Sequence, residues 1–249
     1  MSASGVTYNT NFKTKQNVFT RAGYIFAGWN EKSDGTGTVW GITSSHVGTY
    51  ESGNNWKWTY AKDITLYAQW TPYILTVNYY SGGATSGTLS STSLTTAQLN
   101  GTEIIATQTG EYGDYFNRGT TAPGLADYNG TYINLKKDGY TPPSGAEWKN
   151  KSNGKTCTQA SNTYSHNIAT NLGVDLSTGS RTVNIEVNWQ PNQYTVIYNA
   201  NGGSGTMENS THTYDTASNL RKNTFTKRGC SFNKWNTKPD GSGTELRDE

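Results

Sequence analysis

Apolar and polar residues alternate one by one along much of this chain, the period-2 signature of half-buried strands. Ile64, Leu66, Ala68 and Trp70 fall on one face of such a run, and Thr65, Tyr67 and Gln69 on the other. Tyr194, Val196 and Tyr198 repeat the pattern in a later stretch. Trp56, Trp58 and Tyr60 also alternate, which predicts three rings in a row on one face of a strand. Helical periodicity is weak, and the most it predicts is one short helix per repeat, as near residues 215–220.

The strands recur in a larger period. Residues 17–30, Asn-Val-Phe-Thr-Arg-Ala-Gly-Tyr-Ile-Phe-Ala-Gly-Trp-Asn, return without a gap as residues 223–236, Asn-Thr-Phe-Thr-Lys-Arg-Gly-Cys-Ser-Phe-Asn-Lys-Trp-Asn, at an offset of 206. Asp34-Gly35 then stands opposite Asp240-Gly241, and Thr7-Tyr8 opposite Thr213-Tyr214. A second register sets residues 66–72 opposite 185–191 and Trp29 opposite Trp148, at an offset of 119. Self-similarity at fixed offsets points to tandem modules rather than one enzyme core. It divides the chain into repeat one (1–72), repeat two (73–191) and repeat three (192–249). Trp29, Trp148 and Trp235 return at one module position and are expected to plug the cores, since tryptophan buries the most area per residue.

The repeats are not equal. Repeat two carries about 32 extra residues within 84–131, rich in Gly and Thr, which read as a long loop on a rigid scaffold. Pro72 and Pro191 cannot donate to a ladder, so each suits a strand end and a short stiff joint. Repeat one has no counterpart of the strand beginning at Tyr194, and repeat three none of residues 66–72. The chain is therefore expected to be a segment of a longer protein whose terminal repeats leave strand edges free to pair with a neighbouring chain.

Three stretches together carry a resemblance. They are Tyr-Thr-Val-Ile-Tyr-Asn-Ala-Asn-Gly-Gly-Ser-Gly-Thr-Met (194–207), the run at 17–30 with the Asp-Gly-Thr-Gly-Thr that follows it, and Leu-Tyr-Ala-Gln-Trp-Thr-Pro (66–72). The pattern resembles the Listeria-Bacteroides repeat, also called the internalin B-repeat. It covers repeats one and three well, repeat two loosely, and the insert not at all. The resemblance implies small β-grasp-like modules in bacterial surface proteins, hence a secreted, cell-surface or cell-wall location, and it brings no catalytic residues.

Composition points the same way. With 28 Gly, 17 Tyr, 8 Trp and only 32% apolar residues, the chain favours strands and turns over helices and over one large core. The fold class expected is mainly β: β-grasp-like tandem modules with at most short helices, strung as beads in an array. A net charge of +2, scattered along the chain, gives no nucleic-acid footprint, and no apolar run is long enough for a membrane span. His46, His166 and His212 lack ligand spacing. Asp34-Gly35 and Asp240-Gly241 lack the further carboxylates of a calcium loop and read as tight turns. No cofactor or metal is expected. Cys157 and Cys230 lie in different repeats and are not expected to bond; Cys230 takes the position of Tyr24, an aromatic site.

Function is sought where the repeats differ. At offset 119, Trp56, Trp58 and Tyr60 meet Asp175, Ser177 and Gly179, so the module does not require aromatics there. They are candidates for an exposed platform that stacks on sugars or anchors a protein; the competing reading packs them as local core beneath the loop at 41–53. Tyr112, Tyr115 and Phe116 of the insert are further candidates. The expectation is a non-catalytic stalk or adhesion segment of a larger bacterial surface protein, its partner a host or neighbouring-cell surface protein or a glycan. The alternative is a glycan-binding module using the aromatic stripe.

Overall fold

The structure, a computed structural model, describes residues 4–40, 56–116, 125–126, 132–142, 147–158 and 163–247. It is mainly β, with several small sheets and two short helices, Thr96–Leu99 and Ser165–Asn171, among the described residues. Contacts group the chain into two bodies: a larger one of residues 1–135 and 144–188, and a smaller one of residues 136–143 and 189–249.

The larger body is centred on a five-stranded sheet. Its order is Thr156–Thr158, Glu147–Asn150, Arg181–Val187, Ile74–Tyr80 and Ala106–Glu111. Arg181–Val187 and Ile74–Tyr80 run parallel at the centre and the outer pairings are antiparallel, the β-grasp-like arrangement that the resemblance implies. Alternation explains the placement. Leu75, Val77 and Tyr79 are buried on one strand, and Val183, Ile185 and Val187 on its parallel partner. The helix Ser165–Asn171 lays Ile168 and Ala169 on that face, and Trp148 meets Tyr79 edge-on at 5.0 Å between ring centres. Each such side chain fully buried is worth about 1.5–3 kcal/mol.

A three-stranded sheet in the same body has Tyr24–Asn30 between Val39–Trp40 and Tyr67–Pro72, with a bulge between Phe26 and Gly28. Trp29 is buried there against Phe19 and Phe26, and its Nε1 donates to the Lys15 carbonyl at 3.2 Å. The insert of repeat two is not simply a loop. Ser86–Leu89 and Thr92–Ser93 join Tyr132–Lys136 and Leu125–Ala126 in a four-stranded sheet, and Thr96–Leu99 follows, closed by a capping box between Thr95 and Gln98. Residues 117–124 and 127–131 of the insert lie outside the described residues.

In the smaller body the sheets are two-stranded: Gln193–Val196 with Ser210–Thr213, Tyr140–Thr141 with Gln190–Pro191, and Trp235–Asn236 with Glu245–Leu246. Trp235 keeps the environment of its counterparts, with Phe225 and Phe232 standing as Phe19 and Phe26 do around Trp29, and Tyr198 as Tyr79 does against Trp148. It is nevertheless only half-buried, so the expected core plug is realised in Trp29 and Trp148 and incompletely in Trp235. Two-stranded ribbons present less surface to cover it than a five-stranded sheet with a helix. The short helix expected near 215–220 is absent. Thr, Ser, Asn and Asp there are weak helix formers, and Ser218 Oγ instead lies 2.6 Å from His212 Nδ1.

Candidate functional site

The aromatic stripe of repeat one folds inward at Trp58. Trp58 is 9% exposed, with Phe12 at 5.2 Å, Tyr60 at 5.5 Å and Trp40 at 6.3 Å between ring centres, so it is the centre of a cluster rather than an open platform. Tyr60 is half-buried, and its hydroxyl donates to Glu31 Oε1 at 2.5 Å, where the Trp40 indole also donates at 2.9 Å. The Tyr60 hydrogen bond holds the Glu31 carboxyl below its usual range, and the same bond pushes the Tyr60 phenol up. The backbone of Trp56–Lys57 pairs with Asn11–Phe12; the side chains of Trp56 and Phe116 and the loop at 41–53 lie outside the described part.

A second aromatic group does reach the surface. Tyr115 and Tyr164, 47% and 37% exposed, stack at 4.2 Å with their hydroxyls hydrogen-bonded at 2.5 Å. Tyr164 stacks on His166 at 5.4 Å, and His166 on Tyr112 at 4.8 Å. The ladder exists because Tyr115–Phe116 pairs with Thr163–Tyr164, which leads directly into the helix carrying His166. Tyr112 and Tyr115 were visible as candidates in the sequence. Tyr164 and His166 were not, since they lie about 50 residues away and only the pairing brings them together.

Tyr112 belongs at once to a third feature. Residues 21–24 form a turn in which the Tyr24 N–H donates to the Arg21 carbonyl and Gly23 sits at φ +82°, as a type II turn requires at its third residue. The Tyr112 ring lies over Gly23, where any Cβ would overlap it, and beside Tyr24 at 5.8 Å. Arg21 covers the Tyr24 ring at 3.8 Å. One residue, Tyr73, separates the strands Tyr67–Pro72 and Ile74–Tyr80; its N–H donates to the Gly23 carbonyl at 2.8 Å, and its carbonyl accepts from the Tyr112 N–H at 2.7 Å.

The smaller body repeats this clasp part for part. Residues 137–140 form the same turn, with Gly139 at φ +80° beneath the Tyr214 ring, Tyr140 beside that ring at 5.4 Å, and Lys137 over the Tyr140 ring at 4.1 Å. Asn192 is the single residue between Gln190–Pro191 and Gln193–Val196; its N–H donates to the Gly139 carbonyl at 2.9 Å and its carbonyl accepts from the Tyr214 N–H at 2.8 Å. Tyr140 adds a hydrogen bond to Asp215 Oδ2 at 3.0 Å, which pushes its phenol up. The sequence signals were Gly-Tyr at both turns and the tyrosine after Thr213 or Glu111, but nothing in the sequence showed that they meet.

The remaining candidates are local structure. Asp34 Oδ1 accepts from the Thr36 N–H at 3.0 Å and the Thr36 hydroxyl at 2.8 Å, and Asp240 does the same with Ser242. These are turns closed by their own aspartates, and the backbone donor holds each carboxyl below its ordinary value. Cys157 is free and buried, its thiol pushed up by burial, and Cys230 is free and exposed. Among the described residues no three His, Cys, Asp or Glu side chains group as metal ligands, and no helix is long and apolar enough to cross a membrane.

No curated protein and no solved structure matches this chain. A family model, the Listeria-Bacteroides repeat domain, matches residues 1–69 and 194–249, about half of the sequence. Phe19, Phe26 and Trp29 in the first match, and Phe225, Phe232 and Trp235 in the second, are the residues seen above making one aromatic arrangement twice. The chain belongs to the Listeria-Bacteroides repeat family, whose members are typical of bacterial surface proteins and are generally non-catalytic structural modules.

Proposed function

We propose that the chain is a non-catalytic stalk and adhesion segment of a larger bacterial surface protein, with its repeats bounded near residues 72 and 191. The observation that carries this reading is the clasp. At both boundaries a single residue joins one repeat to the next, and it is tied on both sides by backbone hydrogen bonds beneath a tyrosine packed on glycine. A chain that must hold a ligand-binding end at a distance gains from short, tied joints, because a flexible linker lets successive modules fold back.

A glycan-binding role is the second reading, favoured by the partly exposed Tyr115/Tyr164 stack continuing through His166 to Tyr112, since aromatic rings that reach the surface are suited to pack against the apolar faces of sugars. The partner is a host or neighbouring-cell surface protein or glycan. The test is a screen of the chain against a glycan array and a panel of extracellular-matrix and host-surface proteins, with a Tyr115→Ala/Tyr164→Ala double variant alongside. Sugar retention lost in the variant favours the glycan reading; protein retention favours adhesion. Silence on both, from folded protein, leaves the stalk alone.

A further inference from the structure

The insert of repeat two meets the stretch leading into the helix Ser165–Asn171 through one short ladder, Tyr115–Phe116 with Thr163–Tyr164. The backbone beside that ladder is fixed by Ser165, which is fully buried. Its N–H donates to the Asp114 carbonyl at 2.8 Å; its hydroxyl donates to the Glu111 carbonyl at 2.7 Å and accepts from the Gly113 N–H at 3.2 Å. Asp114 Oδ2 in turn accepts from the Glu111 N–H at 2.9 Å. Residues 114 and 165 are thereby bonded to each other, and the side chains next to them, Tyr115 and Tyr164, are set face to face.

The geometry of that pair stands apart from other tyrosine contacts in the chain. Its rings are 4.2 Å apart and 26° from parallel, and the Tyr115 hydroxyl donates to the Tyr164 hydroxyl at 2.5 Å. Tyr24 with Tyr112, Tyr140 with Tyr214 and Tyr194 with Tyr214 are separated by 5.4 to 6.3 Å and tilted by 58° to 78°. Two nearly parallel phenols whose hydroxyls touch also bring their ortho carbons close together. Those carbons share the unpaired spin of a phenoxyl radical, and unlike the para carbon they are not blocked by the attachment to the chain. Both rings reach solvent, so an oxidant can reach them.

We propose that Tyr115 and Tyr164 are a crosslinking site, joined by a dityrosine bond when the chain meets hydrogen peroxide and a peroxidase. Each phenol gives up one electron and its hydroxyl proton. The two radicals couple ortho to ortho, forming one C–C bond, and the hydrogen that leaves each ortho carbon restores each hydroxyl. Two electrons and two protons are released in all, and they convert one hydrogen peroxide to two waters. Cell surfaces are oxidising, which suits this chemistry to the location typical of the family. The bond spans 49 residues of chain and replaces a hydrogen bond between hydroxyls by a covalent tie, which constrains the unfolded chain as a disulfide does. Such a tie serves a stalk and a sugar-binding module alike.

The test is treatment of the full chain, at about 10 μM, with a haem peroxidase and stepwise hydrogen peroxide, read by dityrosine fluorescence, gel mobility and peptide mass mapping. The expected product is a monomer lighter by two hydrogen atoms, in which the peptide carrying Tyr115 is joined to the one carrying Tyr164. Groups held together in one chain meet at an effective concentration of about 1 mM or more, so coupling within the chain is expected to exceed coupling between chains by about 100-fold. Tyr115→Phe and Tyr164→Phe, which keep the rings and remove the hydroxyls, each lose this product, and Tyr140→Phe retains it. Crosslinks scattered over the 17 tyrosines with none between Tyr115 and Tyr164, or products only between chains, would overturn the proposal. So would a Tyr115–Tyr164 product formed equally well from the chain unfolded in urea, where the stack no longer exists.

Discussion

Asn30 is the side chain on which the first Asp-Gly turn is built. It is 1% exposed and makes four hydrogen bonds: Nδ2 donates to the Gly35 and Gly37 carbonyls, and Oδ1 accepts from the Lys32 and Gly37 N–H groups. Asn30→Asp keeps the shape and the two accepted bonds but replaces the donor by an oxygen aimed at two carbonyls 3.0 Å away. Two lost bonds at about 1 kcal/mol each, plus acceptors left facing an acceptor, give about 3 kcal/mol of local destabilisation, or about 100-fold in the opening equilibrium. Asn236 makes the same bonds to Gly241, Gly243 and Lys238 but is only half-buried, so Asn236→Asp loses less, about fivefold by the same reasoning with water as a substitute partner. Amide exchange at Gly37 and Gly243 reads the two turns separately in one molecule. Equal effects at the two sites, or less than a threefold effect at Gly37, would show that burial does not set the cost.

Other consequences are as direct. Trp148→Ala removes a buried ring from the larger body and is expected to cost about 3–5 kcal/mol, and Trp235→Ala about half as much because its ring is already half in water; urea titrations of the two variants check the ranking. Gly23→Ala adds a Cβ where the Tyr112 ring lies, whereas Gly113→Ala, with φ +94° and nothing within 4 Å, bears only the backbone strain. Exchange at Tyr73 and Tyr112 is therefore expected to rise far more in the first than in the second, and equal increases would show that the clasp contributes nothing. Asp34 and Asp240 carry lowered carboxyl pKa values, so their contribution is fully present above the ordinary 3.8 and is lost as pH falls through the folded-state values below it. Carboxyl NMR titrations with midpoints at or above 3.8 would contradict the hydrogen bonds described.

The sequence made the strands legible where burial alternates, as at Leu75, Val77 and Tyr79, and the module position of tryptophan where a full sheet backs it, as at Trp148. It left Trp58 open between an exposed platform and local core, because alternation reports which face a ring takes but not what comes to cover that face; Phe12 and Trp40, from distant stretches, close over it. The insert read as a loop because its strands are short and rich in Gly and Thr, and their pairing across some 40 residues leaves no local trace. The clasp escaped for a related reason. Tyr8 and Tyr214 aligned, but the insert broke the register that would have set Tyr112 beside them, and the contact with glycine is visible only once the turns are folded.

The boundary we propose between repeats near residue 72 is held rather than free, and this can be measured inside the larger body. Spin labels on Tyr67→Cys, in the three-stranded sheet, and Thr109→Cys, in the five-stranded sheet, flank the Gly23–Tyr112 clasp, with Cys230→Ser removing the exposed native thiol. Pulsed dipolar spectroscopy is expected to give one narrow distance distribution that broadens when Gly23→Ala is added. A distribution already broad in the parent chain, as a freely jointed linker gives, and indifferent to Gly23→Ala would contradict the claim.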